Sequence, residues 1–214
     1  MENLHCQRNY RDFLWQICYD LVRMNEITIV FLSIDIGTKG HINRMNIRQI
    51  KERDTEAFYK MMVALDAETE FMMYEPGERE EKTPNLERLK NTVKSTEDGD
   101  SLLLVAENND GELVGYIWGE RGTLNRVRHT AYVVIGIRKT YTHQGLGTRF
   151  FEELDKWARE HGIVRLELTV ECPNEAGIAL YKKAGFKIEG TRPKSMLVNG
   201  QYVDEYYMGK ILEY

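Results

Sequence analysis

The chain has 214 residues, 42% of them hydrophobic and 29% charged, the balance of one globular domain with room for an appendage. Its formal net charge of −5 argues against nonspecific nucleic-acid binding. Cys6, Cys18 and Cys172 are too few and too scattered for a disulfide framework or a metal site, and read as free thiols in a reducing cytoplasm, with Cys172 a spectator.

Residues 1–44 differ in character from the rest of the chain. Phe13, Leu14, Ile17, Cys18, Leu21 and Val22 form a stripe at helical period, and ITIVFLSI has the composition of a short strand. The longest apolar run, Ile27 to Leu32, is far too short to span a bilayer, and the N-terminus lacks the pattern of a signal peptide. No membrane association is expected, and a cytoplasmic location is. Residues 1–44 are read as an extension, dispensable for chemistry, ahead of a self-contained domain over 45–214.

NIRQIK is a predicted strand. Asp54 is placed to cap a helix whose Ala57, Phe58, Met61, Met62 and Leu65 share a face. The segment ETEFMMYEPGEREEKT reads as a loop with a Pro-Gly turn, and Thr83 with Pro84 as the start of a second helix presenting Leu86, Leu89 and Val93. SLLLVAE and ELVGYIWGE are strands of a hairpin turning at Asn-Asp-Gly.

The stretch that organises the chain comes next. The apolar, β-branched run from Tyr132 ends in a loop that becomes glycine-rich at Gly145 and Gly147, and a helix is expected to start on the last glycine. Helix N-termini carry unpaired N–H groups and a positive dipole end, which suit a phosphate, and glycine allows close approach of the backbone. A dinucleotide fingerprint would need a third glycine where Phe150 stands, and no Gly-Lys-Ser/Thr of a Walker loop is present. The alternative is a turn whose glycines serve geometry alone.

The following helix presents Phe150, Phe151, Leu154, Trp157 and Ala158 on one side and ends at Gly162. In RLELTV, Leu166, Leu168 and Val170 alternate with polar residues, as in a strand with one buried face. NEAGIALYKKAG is a short helix closed by Gly185, FKIEG a strand, and the tail a long hairpin turning at Asn199-Gly200. Asn174 and Tyr181 fall nearly on one face of the short helix. Taken alone, the pair reads as a capping amide and a core phenol.

Taken together, IGIRKTYTHQGLGTRFFEEL and NEAGIALYKKAGFKIEG, in this order and spacing, resemble the GNAT superfamily of acyl-CoA-dependent N-acetyltransferases from about Met45 to the C-terminus. The ending GTRPKSMLVNGQYVDEYYM is similar to the branch that acetylates ribosomal-protein N-termini and polyamines. The resemblance implies an α/β fold: a mixed, mostly antiparallel sheet splayed between two central parallel strands, with helices on both faces. It implies acetyl-CoA as co-substrate, no metal, and an acceptor that is a small-molecule amine or a protein N-terminus. A homodimer stays open.

The resemblance also implies roles. Ile135, Gly136 and Ile137 would offer main-chain groups to the pantetheine arm and an N–H to the thioester oxygen. The amides of Thr142, His143, Gln144, Gly145, Leu146, Gly147 and Thr148 would cradle the pyrophosphate, Asn174 would hold the pantetheine, and Tyr181 would protonate the leaving thiolate. The family usually has Arg or Gln at Thr142 and often Gly at His143; Arg138, Lys139 and Arg149 are candidates to replace the lost charge. For the group that deprotonates the amine, Glu120 and Glu171 near predicted strand ends are candidates. The acidic run Glu75, Glu78, Glu80 and Glu81 is expected to meet the acceptor, the other reading being a solvated loop. Two further functions stay open: a non-catalytic CoA-binding module of the same fold, and an unrelated nucleotide-binding domain, which the failed motifs disfavour.

Overall fold

The computed structural model describes residues 45–97 and 99–213; the expected helix and strand within residues 1–44 lie outside them. The described residues form seven strands: β1 (Asn46–Gln49), β2 (Leu102–Glu107), β3 (Leu113–Arg121), β4 (Thr130–Ile137), β5 (Arg165–Glu171), β6 (Lys187–Val198) and β7 (Gln201–Ile211). Their order in the sheet is β1-β2-β3-β4-β5-β7-β6. Every neighbouring pair is antiparallel except β4 and β5. The helices are α1 (Thr55–Glu68), α2 (Glu78–Lys82), α3 (Leu86–Glu97), α4 (Leu146–Glu160) and α5 (Glu175–Lys183).

The central strands are apolar because both faces of the sheet are covered. On β2, Leu102, Leu104 and Ala106 pack toward α4, while Leu103 and Val105 pack toward α1 and α3. The α4 face gathers Phe150, Phe151, Leu154, Trp157 and Ala158, as the helical period of the sequence requires. Phe150 and Leu154 are fully enclosed, and burial of each such side chain stabilises by about 1.5–3 kcal/mol. Phe58, Met61, Met62 and Leu65 of α1 cover the opposite face with Val93 of α3; Ala57, expected with them, is exposed.

Three terminators are geometric. Gly162, at φ 68°, closes α4. The Ile163 N–H reaches the Ala158 carbonyl and the Gly162 N–H that of Arg159, the two bonds of a Schellman motif. Gly185, at φ 95°, closes α5 in the same way, with the Phe186 N–H on the Tyr181 carbonyl. Asn199 and Gly200 both take positive φ, the turn that lets a two-residue hairpin follow the strand twist.

Two helix starts differ from expectation. The Asp54 carboxylate makes no cap to α1; it accepts the Lys51 N–H at 2.9 Å and two bonds from Arg48. The charged guanidinium outcompetes the helix amides for it. Thr83 closes α2, its hydroxyl donating to the Arg79 carbonyl, and Asn85 accepts the Glu87 N–H at the start of α3. The run expected as loop thus contains α2, entered through Gly77 at φ 85°.

β4 and β5 pair only through Thr130, Ala131 and Tyr132 against Arg165, Leu166 and Glu167. Beyond that point β4 stays with β3 and β5 with β7, so the sheet splits. From the last paired residue of β4, the Tyr132 hydroxyl meets that of Thr169 at 2.9 Å and joins the two strands at the apex of the split.

Candidate active site

The split opens into a cleft of about 620 Å³. Tyr132, Val134 and Ile135 of β4 form one wall, and Thr169, Val170 and Glu171 of β5 the other. Phe71, Met72, Met73 and Tyr74, from the segment between α1 and α2, stand over it. Arg79 anchors that cover. It forks onto Asp66, with Nε to Oδ2 at 2.5 Å and Nη2 to Oδ1 at 3.0 Å, and its guanidinium lies 4.3 Å from the centre of the Tyr74 ring.

From Val133 onward, β4 pairs with β3 alone, so the backbone groups of Ile135, Gly136 and Ile137 on the β5 side have no strand partner among the described residues. A β-carbon on Gly136 would lie 2.7 Å from the Tyr116 ring and 2.9 Å from Leu65, so this glycine also lets β4 seat against α1.

β4 runs into the glycine loop through a turn of 3-10 helix at Lys139–Tyr141. The Thr142 amide and hydroxyl both donate to the Lys139 carbonyl, and Gln144 Nε2 donates to the Thr140 carbonyl at 2.9 Å. His143 has φ 58°, a left-handed position of the kind that favours glycine, and histidine is among the residues that enter that region. Gly145, at φ 79°, precedes α4, which begins at Leu146, one residue before the expected start. The first intrahelical bond runs from the Arg149 N–H to the Gly145 carbonyl. The amides of Leu146, Gly147 and Thr148 precede it and are available to an anion.

The two glycines do different work. A β-carbon on Gly145 would meet open space, so a ligand can approach the backbone there. A β-carbon on Gly147 would point inward, 2.7 Å from Leu180 Cδ2. Gly147 therefore sets the contact of α4 with α5 rather than ligand access.

Of the three cations considered for this loop, two are engaged elsewhere. Arg138 is paired with Glu68 at 2.7 Å, and Arg149 donates to the Met45 carbonyl. Lys183, at the end of α5, donates to the Thr148 hydroxyl at 3.2 Å, which puts a positive charge beside the loop. No local motif marks this lysine; the approach of α5 to α4 brings it there.

Asn174 caps α5, its Oδ1 accepting the Gly177 N–H at 2.9 Å, and its residue also lines the cleft. Tyr181 lines the same cleft, half-buried, with its ring edge-on to Phe151 at 5.9 Å and tilted against Phe186 at 6.3 Å. Its hydroxyl makes no hydrogen bond within the described residues. Loss of water around it raises its pKa, and the phenol is protonated at neutral pH. Both readings of the pair hold at once: the amide caps, the ring packs, and both face a cleft.

Glu171 is 7% exposed, at the end of β5, and lines the cleft. Burial raises its pKa, and Glu205 and Glu70 add to the shift. Glu120 is exposed and does not line the cleft; on β3 it stands opposite Tyr132, at the closed end of the split. Glu75, Glu78, Glu80 and Glu81 do not line the cleft either; Glu78 closes the turn onto the Glu75 N–H and Glu81 pairs with Lys82. The outer wall carries Arg79, Lys82 and Arg88 instead. Cys172 is a free thiol, and the described residues hold no cluster suited to a metal ion. No described helix is long and apolar enough to cross a membrane.

Residues 59–186 match the model of the acetyltransferase (GNAT) family. The chain belongs to the GNAT family. It is 37% identical over 106 residues to the L-amino acid N-acetyltransferase AaaT of Escherichia coli, covering 48% of this chain and 64% of that protein. It is 38% identical over 106 residues to the N-alpha-acetyltransferase RimI of Mycobacterium tuberculosis, covering 49% of this chain and 63% of that protein. In both cases the match spans less than two thirds of the relative's length. A GNAT-family acetyltransferase structure from Streptococcus pneumoniae superposes with a TM-score of 0.73 at 29% identity, over 79% of this chain and 99% of that one. The family's sheet, split between its two parallel strands, is the one described above.

Proposed function

We propose that the chain transfers the acetyl group of acetyl-CoA to a primary amine by direct attack. The observation that carries this reading is the split itself. It leaves the β4 backbone free to pair with an extended pantetheine arm, between a helix N-terminus with three open amides and the Tyr181 phenol. The residues fit the co-substrate: open space at Gly145 admits a pyrophosphate, and Lys183 supplies charge near it. An N–H of β4 would bind the carbonyl oxygen as negative charge develops, Asn174 would hold the arm, and Tyr181 would protonate the departing thiolate.

Among amines, the reading favours α-amino acids. Arg88, on the outer wall of the cleft, makes no side-chain bond within the described residues and suits a carboxylate, and the relative from Escherichia coli is named for L-amino acids. A protein N-terminus, the substrate class named for the RimI relative, is the competing acceptor. Thiol release from acetyl-CoA, measured with L-methionine, spermidine and an alanine-initiated peptide, tests both levels. Turnover of L-methionine alone supports the finer reading. Acetyl-CoA binding without turnover of any amine would leave a non-catalytic CoA-binding module.

A further inference from the structure

Glu171 and Glu205 face each other directly across β5 and β7, are 7% and 6% exposed, and both line the cleft. Like charges directly opposite on neighbouring strands repel, and buried charges need partners. Only one of the two has one: Arg192 Nη1 donates to Glu205 Oε2 at 3.0 Å, whereas the Glu171 carboxylate makes no hydrogen bond or ion pair within the described residues. The sheet therefore holds a largely buried, unpaired carboxylate beside a second one, on the wall of the cleft, where a cation could pair with it. We infer that Glu171 seats the acceptor's ammonium and takes its proton, with Glu205 and Arg192 as the positioning pair. This rests on the acetyl-transfer reading.

The proton balance closes. The ammonium gives one proton to Glu171, which passes it to solvent. The freed amine attacks the carbonyl carbon, so a C–N bond forms and the C–S bond breaks. Tyr181 gives its proton to sulfur, and the second proton leaving the new amide nitrogen restores the phenol. One proton is released overall. The placement suits this division, because Glu171 at the end of β5 and Tyr181 on α5 line the same opening from consecutive elements. Burial and the neighbouring carboxylates raise the Glu171 pKa, the direction that strengthens a proton acceptor.

Other charged or titratable groups lining this cleft or acting on Glu171 are Tyr59 of α1, Glu70 and Tyr74 between α1 and α2, Tyr132 of β4, Tyr116 of β3, and Arg79, Lys82 and Arg88 on the outer wall. None but Glu205 stands opposite Glu171 in the strand register.

The test uses E171Q and E205Q in the full chain, with whichever of L-methionine, spermidine and the alanine-initiated peptide the wild type acetylates. E171Q is expected to lower kcat/KM about 10²- to 10⁴-fold at pH 7 with acetyl-CoA affinity unchanged. The deficit is expected to shrink as pH approaches the pKa of the amine, where solution supplies the neutral form. E205Q is expected to move the acidic limb of the wild-type profile to lower pH, since it removes the like charge that raises the Glu171 pKa. Wild-type kcat/KM in E171Q, or a deficit constant from pH 7 to 10, would overturn the assignment while leaving acetyl transfer intact. Failure of the wild type with all three amines would overturn acetyl transfer and the assignment together.

Discussion

Replacing Tyr181 by phenylalanine separates the proton-donating role proposed for it from its packing role. The ring is held by Phe151 and Phe186, and the residue's own carbonyl accepts the Phe186 N–H in the cap of α5; Tyr181→Phe keeps all of these contacts. The hydroxyl has no hydrogen-bond partner within the described residues, so its removal orphans no donor or acceptor. Folding stability should therefore stay within about 0.5 kcal/mol of wild type. Loss of a positioned proton donor lowers the chemical step about 10²- to 10⁴-fold, which corresponds to about 2.7–5.4 kcal/mol of barrier. The assay is steady-state thiol release, with a pre-steady-state measurement to establish that chemistry limits turnover, alongside a thermal melt and calorimetric titration with acetyl-CoA. The expected pattern is a fall in kcat at unchanged acetyl-CoA affinity and unchanged melting temperature. Wild-type kcat with chemistry rate-limiting would remove Tyr181 from the mechanism, and a large drop in melting temperature would show a structural phenol.

Gly147→Ala would put a β-carbon 2.7 Å from Leu180 Cδ2; overpacking costs about 1–3 kcal/mol and the gain in helix propensity returns about 1 kcal/mol. A lower melting temperature and lower kcat are expected, with acetyl-CoA affinity nearly unchanged, whereas a weakened affinity at constant stability would assign Gly147 to ligand approach. Asp66→Asn breaks the fork onto Arg79 at a carboxylate only 1% exposed, and leaving one partner of a buried pair costs about 3–5 kcal/mol. Its melting curve checks this, and an unchanged curve would show that the cover over the cleft does not depend on the pair. For Glu171, the folded-state pKa is raised, so the charged form is penalised in the fold at neutral pH and the penalty disappears as pH falls below the unfolded value. E171Q should therefore melt higher than wild type at pH 7 and equal to it near pH 4; a lower melting temperature at pH 7 would mean that the carboxylate stabilises the fold.

Much of this architecture is legible from the sequence because it is written in local periods. The α4 face, the alternation of Leu166, Leu168 and Val170, and the turns at Gly162, Gly185 and Asn199-Gly200 each depend on residues within one or two turns of chain. What escapes is set by contacts distant in sequence. α2 has five residues and no apolar period, and its entry depends on the left-handed Gly77. Thr83 satisfies the carbonyl behind it rather than the helix ahead, a choice that composition does not distinguish. The inward aim of Gly147 requires the approach of α5, and the pairing of Glu171 with Glu205 requires the register of β5 on β7. The acidic run is conspicuous as a string but turns away from the cleft, whereas carboxylates scattered along the chain converge on it.

The site follows from one irregularity in the sheet. If β4 and β5 stayed paired beyond Tyr132 and Glu167, each would satisfy the other's backbone and no opening would exist. Their divergence leaves backbone groups on β4 with no strand to bond, and it carries the end of β5 toward the base of α5. Under the proposed function an extended ligand arm would complete the interrupted ladder on β4, and β4 leads through the glycine loop to the N-terminus of α4. On the opposite side, the same divergence places Glu171 and Tyr181 along one wall, a carboxylate that gains from a cation and a phenol that keeps its proton. The Tyr132–Thr169 bond lies at the closed end of this opening, where the two strands part.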